Sequence, residues 1–165
     1  MKLFATSLKI CTTMVICAWL GASPVRAQAP GLVFPDSGYR TVSSTMSFDA
    51  VVAKIESAIS ANKMGLVAQA SASRGAAARN VKIPGNIVLM VFRNDYAVRM
   101  LATSVAAGVE APLRIYVTEG ADGRTSISWR APSQVFAPYK SAELDTMARE
   151  LDPVLEKIVR DAIRE

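Results

Sequence analysis

The sequence predicts an α+β domain of two layers, a sheet of about five strands covered by amphipathic helices. Three observations lead there. The patterned segments run strand, helix, strand, connection, strand, helix, hairpin, helix, with helices between early strands and the hairpin late in the chain. Two stretches, Ser47–Asn62 and Ser141–Glu165, repeat apolar residues at helical spacing. The 165 residues are 51% hydrophobic and 20% charged, the composition of one globular domain.

Tyr39–Ser44 alternates loosely and predicts the first strand. In Ser47–Asn62, Ser47 can cap, Asp49 suits the positive helix end, and Phe48, Val51, Val52, Ile55 and Ile59 form an apolar stripe. Gly65 is expected to stop that helix. Leu66–Ser73 predicts a second strand, and Arg74–Lys82 a polar, Ala-rich connection with room for a helical turn. After Pro84 and Gly85 comes Asn86–Phe92 (NIVLMVF), whose unbroken apolar run predicts a strand buried on both faces. Tyr96–Ala107 predicts a helix capped at Asn94 or Asp95, ended by Gly108, with Val98, Leu101, Ala102 and Val105 on its core side. Leu113–Thr118 and Thr125–Arg130 flank EGADGR, where Asp122 and Gly123 can take positive φ, the mark of an antiparallel hairpin. Pro132 and Pro138 mark a loop. The tail from Ser141 to Glu165 reads as helix twice over, restarting at Asp152 and Pro153.

The N-terminus has the layout of a secretory signal peptide. Lys2 and Lys9 precede an eleven-residue core, Ile10–Leu20, which is followed by Gly21, Ser23, Pro24 and the small-residue site Val25-Arg26-Ala27. A membrane span needs about 20 apolar residues, so cleavage after Ala27 is expected, with no stable membrane anchor and a periplasmic or secreted product. Residues 28–38, with Pro30, Gly31 and Pro35, read as an extended leader, and residues 39–165 as a single domain.

Removal of residues 1–27 takes away both cysteines, Cys11 and Cys17, from a chain that has no histidine. This excludes Ser/His/Asp and Cys/His nucleophilic sites, zinc centres built on His or Cys, and disulfides. No metal or cofactor is expected. Lys plus Arg falls from 19 to 16 against 14 acids, and the net charge from +5 to +2. The charge is uneven: Ser57–Val109 holds six cations (Lys63, Arg74, Arg79, Lys82, Arg93, Arg99) and one acid, Asp95. The sector lacks the dense stripe and aromatic platforms of a nucleic-acid binder, so no nucleic-acid partner is expected.

The candidate site is the junction Arg93-Asn94-Asp95, where a strand opens into a helix and presents backbone N–H groups and the positive dipole end. There Arg93, Asn94 and, one turn on, Arg99 form an expected anion-binding set. Other groups read as structural. The acid pairs Glu143/Asp145 and Glu119/Asp122 fall at a helix start and a hairpin turn. Strand alternation puts Ile127 and Trp129 on one side and the hydroxyls of Thr125, Ser126 and Ser128 on the other, as surface. Met46, Met64, Met90, Met100 and Met147 are scattered over different elements and read as core filling.

The segment Asn86–Pro132, with NIVLMVFRND, an Ala-rich helix and APLRIYVTEGADGRTSISWRAP, resembles the domain of unknown function 302 family. Members typically show a strand closing on Phe-Gly-Asn-Pro, a Leu-Pro-Leu strand, an acidic turn with Gly, and Tyr-x-x-Pro. Phe92 and Asn94 match the first element, Pro112 and Leu113 the second, Glu119 and Gly123 the third, Trp129 and Pro132 the fourth. Arg93 and Asp95 stand where the family has Gly and Pro, and Ala72 and Ser73 where some relatives carry histidine. The resemblance covers about Tyr39 to Ala162. It implies the fold and a homodimer, and names no reaction. Two readings follow: an exported, non-enzymatic module that binds a small anionic or amphipathic ligand or a protein partner, and, as the alternative, a carboxylate-based hydrolase or isomerase.

Overall fold

The computed structural model describes residues 32–35 and 38–164. The signal peptide, the cleavage point after Ala27 and the start of the leader lie outside the described residues. The elements are β1 (Tyr39–Ser44), α1 (Phe48–Ala61), β2 (Gly65–Ala70), α2 (Ala72–Ala77), β3 (Asn86–Phe92), α3 (Asn94–Thr103), a 3₁₀ turn (Ala106–Glu110), β4 (Leu113–Glu119), β5 (Thr125–Arg130), α4 (Pro132–Phe136), a second 3₁₀ turn (Ala137–Tyr139) and α5 (Ala142–Ile163). The five strands form one sheet in the order β1-β5-β4-β3-β2, every neighbour antiparallel. This is the α+β fold expected.

Register explains why one face holds the core. Leu89 pairs with Ile115, and Ile115 in turn with Trp129, while Val117 pairs with both Ile87 and Ile127. All six are buried. Against them pack α1, through Val51, Val52, Ile55 and Ile59, and α5, through Leu151, Leu155, Ile158 and Val159. Arg40 of β1 reaches across to a salt bridge with Glu156 of α5. The opposite face of the sheet carries Thr41, Ser126, Ser128, Arg130, Arg114, Tyr116, Val88 and Met90, the alternate positions of the same strands.

Several expectations are corrected. Helix α1 stops at the cap Asn62, followed by Lys63 at φ 57°, so Gly65 opens β2 and does not end the helix. Strand β3 is not buried on both faces: Ile87, Leu89 and Val91 are buried while its other residues are half-buried, because helices cover one side only. The N-cap of α3 is Arg93, with no side-chain cap bond, and the helix ends at Thr103 rather than Gly108. Only Gly123 takes positive φ in the hairpin.

The supposed proline loop forms α4, with Pro132 in its first turn, where a missing N–H costs nothing. Helix α5 runs unbroken through Pro153. Asp152 starts no new helix; its Oδ1 accepts from the Ser133 backbone N–H at 2.9 Å and so caps α4 from the middle of α5. A proline within a helix removes one backbone bond, and here the same turn supplies the cap that fixes its neighbour. Thr125 shares the buried face with Ile127 and Trp129 and donates to the Met46 carbonyl at 2.9 Å, while Ser128 is buried against Thr41 Oγ1 at 2.9 Å. Neither hydroxyl is surface.

Gly85 is fixed by close approach. A Cβ there would lie 2.6 Å from Phe48 Cγ, while its N–H donates to Glu119 Oε2 at 2.9 Å and its carbonyl accepts from Glu119 N at 2.8 Å. These bonds hold the backbone under the ring. Gly85→Ala is therefore expected to cost about 1–3 kcal/mol by overpacking, read as a lowered urea midpoint with an unchanged slope. A variant as stable as wild type shows that Phe48 swings aside freely.

Candidate functional site

The strand β3 carries its apolar run into the core and releases the chain at Arg93, so the junction with α3 forms as the sequence implies. Its cations, however, already have partners. Arg93 Nε and Nη2 donate to the two carboxylate oxygens of Asp95 at 2.7 and 3.0 Å. Arg99 grips Glu150 of α5 the same way, at 2.6 and 2.9 Å. Both guanidinium groups also approach the Tyr96 ring, at 4.2 Å for Arg93 and 5.5 Å for Arg99. The three predicted residues, Arg93, Asn94 and Arg99, thus come together on the first two turns of α3. An anion arriving there must displace Asp95 from its bidentate grip on Arg93.

Beneath Tyr96 lies a cavity of about 30 Å³ lined by Met64, Met100, Met147, Ala97, Phe136 and neighbouring side chains. That is room for about one water molecule and for no organic ligand. The fold brings together three of the methionines that looked scattered, one each from the α1–β2 link, α3 and α5, and they fill the space between those elements.

The acid pairs are held by local backbone and hydroxyl donors. Glu119 accepts from Gly85 N, and Asp122 Oδ1 from Arg124 N at 3.0 Å. Backbone hydrogen bonding first, and then the Ser141 hydroxyl, hold the Glu143 carboxyl below its ordinary range. Asp95, Glu150 and Asp161 are likewise lowered, by Arg93, by Arg99, and by Asn62 with Lys157. A general acid at neutral pH needs the opposite shift. Among the described residues no group of three or more Asp, Glu, His or Cys is placed to hold a metal ion, and no helix is long and apolar enough to cross a membrane.

The outward face of α3 differs from the expected one. Ala97 and Met100 face the core. Val98, Leu101 and Val105, read as core residues, are 60%, 46% and 80% exposed, and Val109 adds 75%. A helix whose apolar residues occupy two adjacent stripes has no unique buried side in sequence; here the stripe of Ala97 and Met100 is the one turned to the core. Leu101 lies along Gly108, where a Cβ would meet its Cδ2 at 3.0 Å, so the 3₁₀ turn continues the stripe.

A family model described as Domain of unknown function DUF302 matches residues 40–162. The chain belongs to the DUF302 family. A crystal structure of an uncharacterized conserved DUF302 protein from Bacillus stearothermophilus superposes with a TM-score of 0.69 at 18% identity, covering 78% of this chain and 100% of that one. Identity at that level speaks for the fold alone. No curated protein matches the chain.

In this DUF302 domain the Arg99–Glu150 pair gives a pH test. Hydrogen bonding to Arg99, outweighing desolvation, lowers the Glu150 pKa in the folded state below the ordinary 4.5. A depressed carboxylate contributes stability that is present above its unfolded pKa and lost as pH falls through the folded one. Glu150→Gln is therefore expected to be less stable than wild type at about pH 7, with the gap closing towards about pH 3, as read from urea midpoints at both values. A gap independent of pH means that the ion pair contributes no charge-dependent stability.

Proposed function

We propose that the protein is an exported, non-enzymatic interaction module that pairs with a second copy of itself through α3 and the 3₁₀ turn after it. The observation that carries this reading is the stripe of Val98, Leu101, Val105 and Val109, half to four-fifths exposed, continuous across Gly108. A spacing of three puts Val98 and Leu101 on one face of α3, and the approach of Leu101 to Gly108 brings the following 3₁₀ turn, with Val105 before it and Val109 within it, alongside; exposed apolar side chains gathered in one place mark a contact site.

A second copy suits it because a two-fold contact lays one stripe on its own image. The charges beside it favour this: Asp95 is taken by Arg93 and Arg99 by Glu150, so two copies approach without like charges facing each other unpaired. The signal-like layout of residues 1–27 supports the exported part of this reading, and its removal would leave a chain free of cysteine and histidine. Such a chain is equipped for contact more than for covalent chemistry.

The test uses protein recovered from the periplasm of a Gram-negative host, with an N-terminus expected at Gln28. Sedimentation velocity at tens of micromolar should give a dimer. Val105→Lys with Val109→Lys should give a monomer whose near-ultraviolet circular dichroism matches that of wild type, since both side chains are mostly exposed, with a thermal midpoint lowered only by the loss of association. A monomeric wild type, or a double variant that still dimerises, removes the proposal. An N-terminus at Met1 removes the export.

A further inference from the structure

The face of the sheet turned away from the helices carries a second site, independent of the stripe on α3. The register Ile115↔Trp129 sets Arg114 of β4 directly opposite Arg130 of β5, with Tyr39 beyond Arg130 and Met90 beyond Arg114. One row further along stand Thr41, Ser128, Tyr116 and Val88. Like charges directly opposed across two strands destabilise a sheet.

Against this face lies a hollow of about 220 Å³ whose lining reaches from β1 across β5 and β4 to Val88 of β3. Tyr39, Tyr116 and Val88 line it, and Phe34, stacked on Tyr39 at 4.2 Å and 7° between planes, closes one side. Arg114 and Arg130 supply its positive charge and Glu110 its negative charge. The three differ in availability. Glu110 is engaged by the Tyr139 hydroxyl at 3.0 Å, and Arg130 is held by a contact of its own. Arg114 is exposed and has no hydrogen bond or ion pair among the described residues. Trp129 borders the hollow as well, although its side chain is committed to the core face, and its indole N–H is buried without an acceptor among the described residues. An unmet buried donor is uncommon, and a cleft of apolar and aromatic walls with a few convergent polar groups is the usual form of a small-molecule site.

We propose that this hollow binds a small monocarboxylate with a flat apolar body, Arg114 holding the carboxylate while Tyr116, Tyr39 and Val88 take the body. The guanidinium presents a planar fork that matches a carboxylate. The aromatic rings bury the body. Glu110 at the rim disfavours a second negative charge, so an inorganic dianion is the poorer ligand.

Trp129 is the only tryptophan beyond residue 27, so its fluorescence reports occupancy in the exported protein. Titration with phenylacetate should give a saturable change. Arg114→Gln should weaken it about ten- to a hundredfold, the range for one hydrogen bond to a charged group. Uncharged phenylacetamide should bind no better than the variant does, and inorganic phosphate should not compete. Because removal of one guanidinium relieves the opposition across the strands, the Arg114→Gln thermal midpoint should equal or exceed that of wild type. No saturable change with phenylacetate, equal affinity in the variant, competition by phosphate, or a lowered midpoint would each overturn the proposal.

Discussion

Everything in this fold depends on one antiparallel sheet being covered on a single face by α1 and α5. Helix α5 is 22 residues long and buries eight of them, and α1 buries five, so these two helices meet each other over the middle strands and define where the core is. The requirement is strict because strand side chains alternate: once Ile115, Val117, Ile127 and Trp129 are committed to the helices, Arg114, Tyr116, Ser126 and Ser128 must turn the other way. A slip of one residue would bury Arg114 and expose Ile115, which hydrophobic burial strongly opposes. What this commitment leaves uncovered is the open face of the sheet and the outer face of α3, the two surfaces on which the proposals rest.

The same constraint explains the local departures from simple rules. Proline inside α5 and a helix where two prolines suggested a loop are one arrangement: α4 packs on α5, and Asp152 reaches from α5 to the first amides of α4. Buried Thr125 and Ser128 are tolerated because each finds an oxygen partner at 2.9 Å. At the junction after β3, Arg93 and Asp95 satisfy each other, and the Tyr96 ring lies against Arg93. A substitution pattern that looked like an exposed anion receptor is therefore also a self-contained surface cluster, modest in its effect on stability because its groups are largely in water.

The fold was legible in the sequence where periodicity and turn chemistry agree. Tyr39–Ser44, Asn86–Phe92 and Thr125–Arg130 match the observed strands residue for residue, and Ser47 caps α1 with its own oxygen. Legibility failed where one local pattern supports two structures. NIVLMVF reads as a two-sided buried strand because the half-covered residues Val88, Met90 and Phe92 are as apolar as the covered ones. Residues 94–105 contain two apolar stripes, and nothing local chooses between them. The Lys63 turn leaves no mark in the sequence, because a left-handed residue is the preference of glycine and not of lysine. The hollow on the open face was beyond reach for a different reason: Arg114 and Arg130 are sixteen positions apart, and only the hairpin register makes them neighbours. Alternation along each strand did hold the signal, since Arg114 and Tyr116 share one face and Ser128 and Arg130 another, but their union needs the pairing.

The distribution of cations separates structural from available charge. Among the arginines discussed, Arg40, Arg93 and Arg99 each end on a carboxylate. Their charges are spent within the molecule, holding β1 to α5, closing the α3 junction and tying α3 to α5. Arg114 is placed differently, opposite a second arginine, on a face no helix covers, beside aromatic side chains. A position chosen for stability alone would favour a neutral or acidic residue there, because it faces a like charge. Of the six cations in the basic sector, Arg93 and Arg99 are held by carboxylates among the described residues; Arg114, on β4, is set apart by its place opposite a second arginine and beside aromatic side chains.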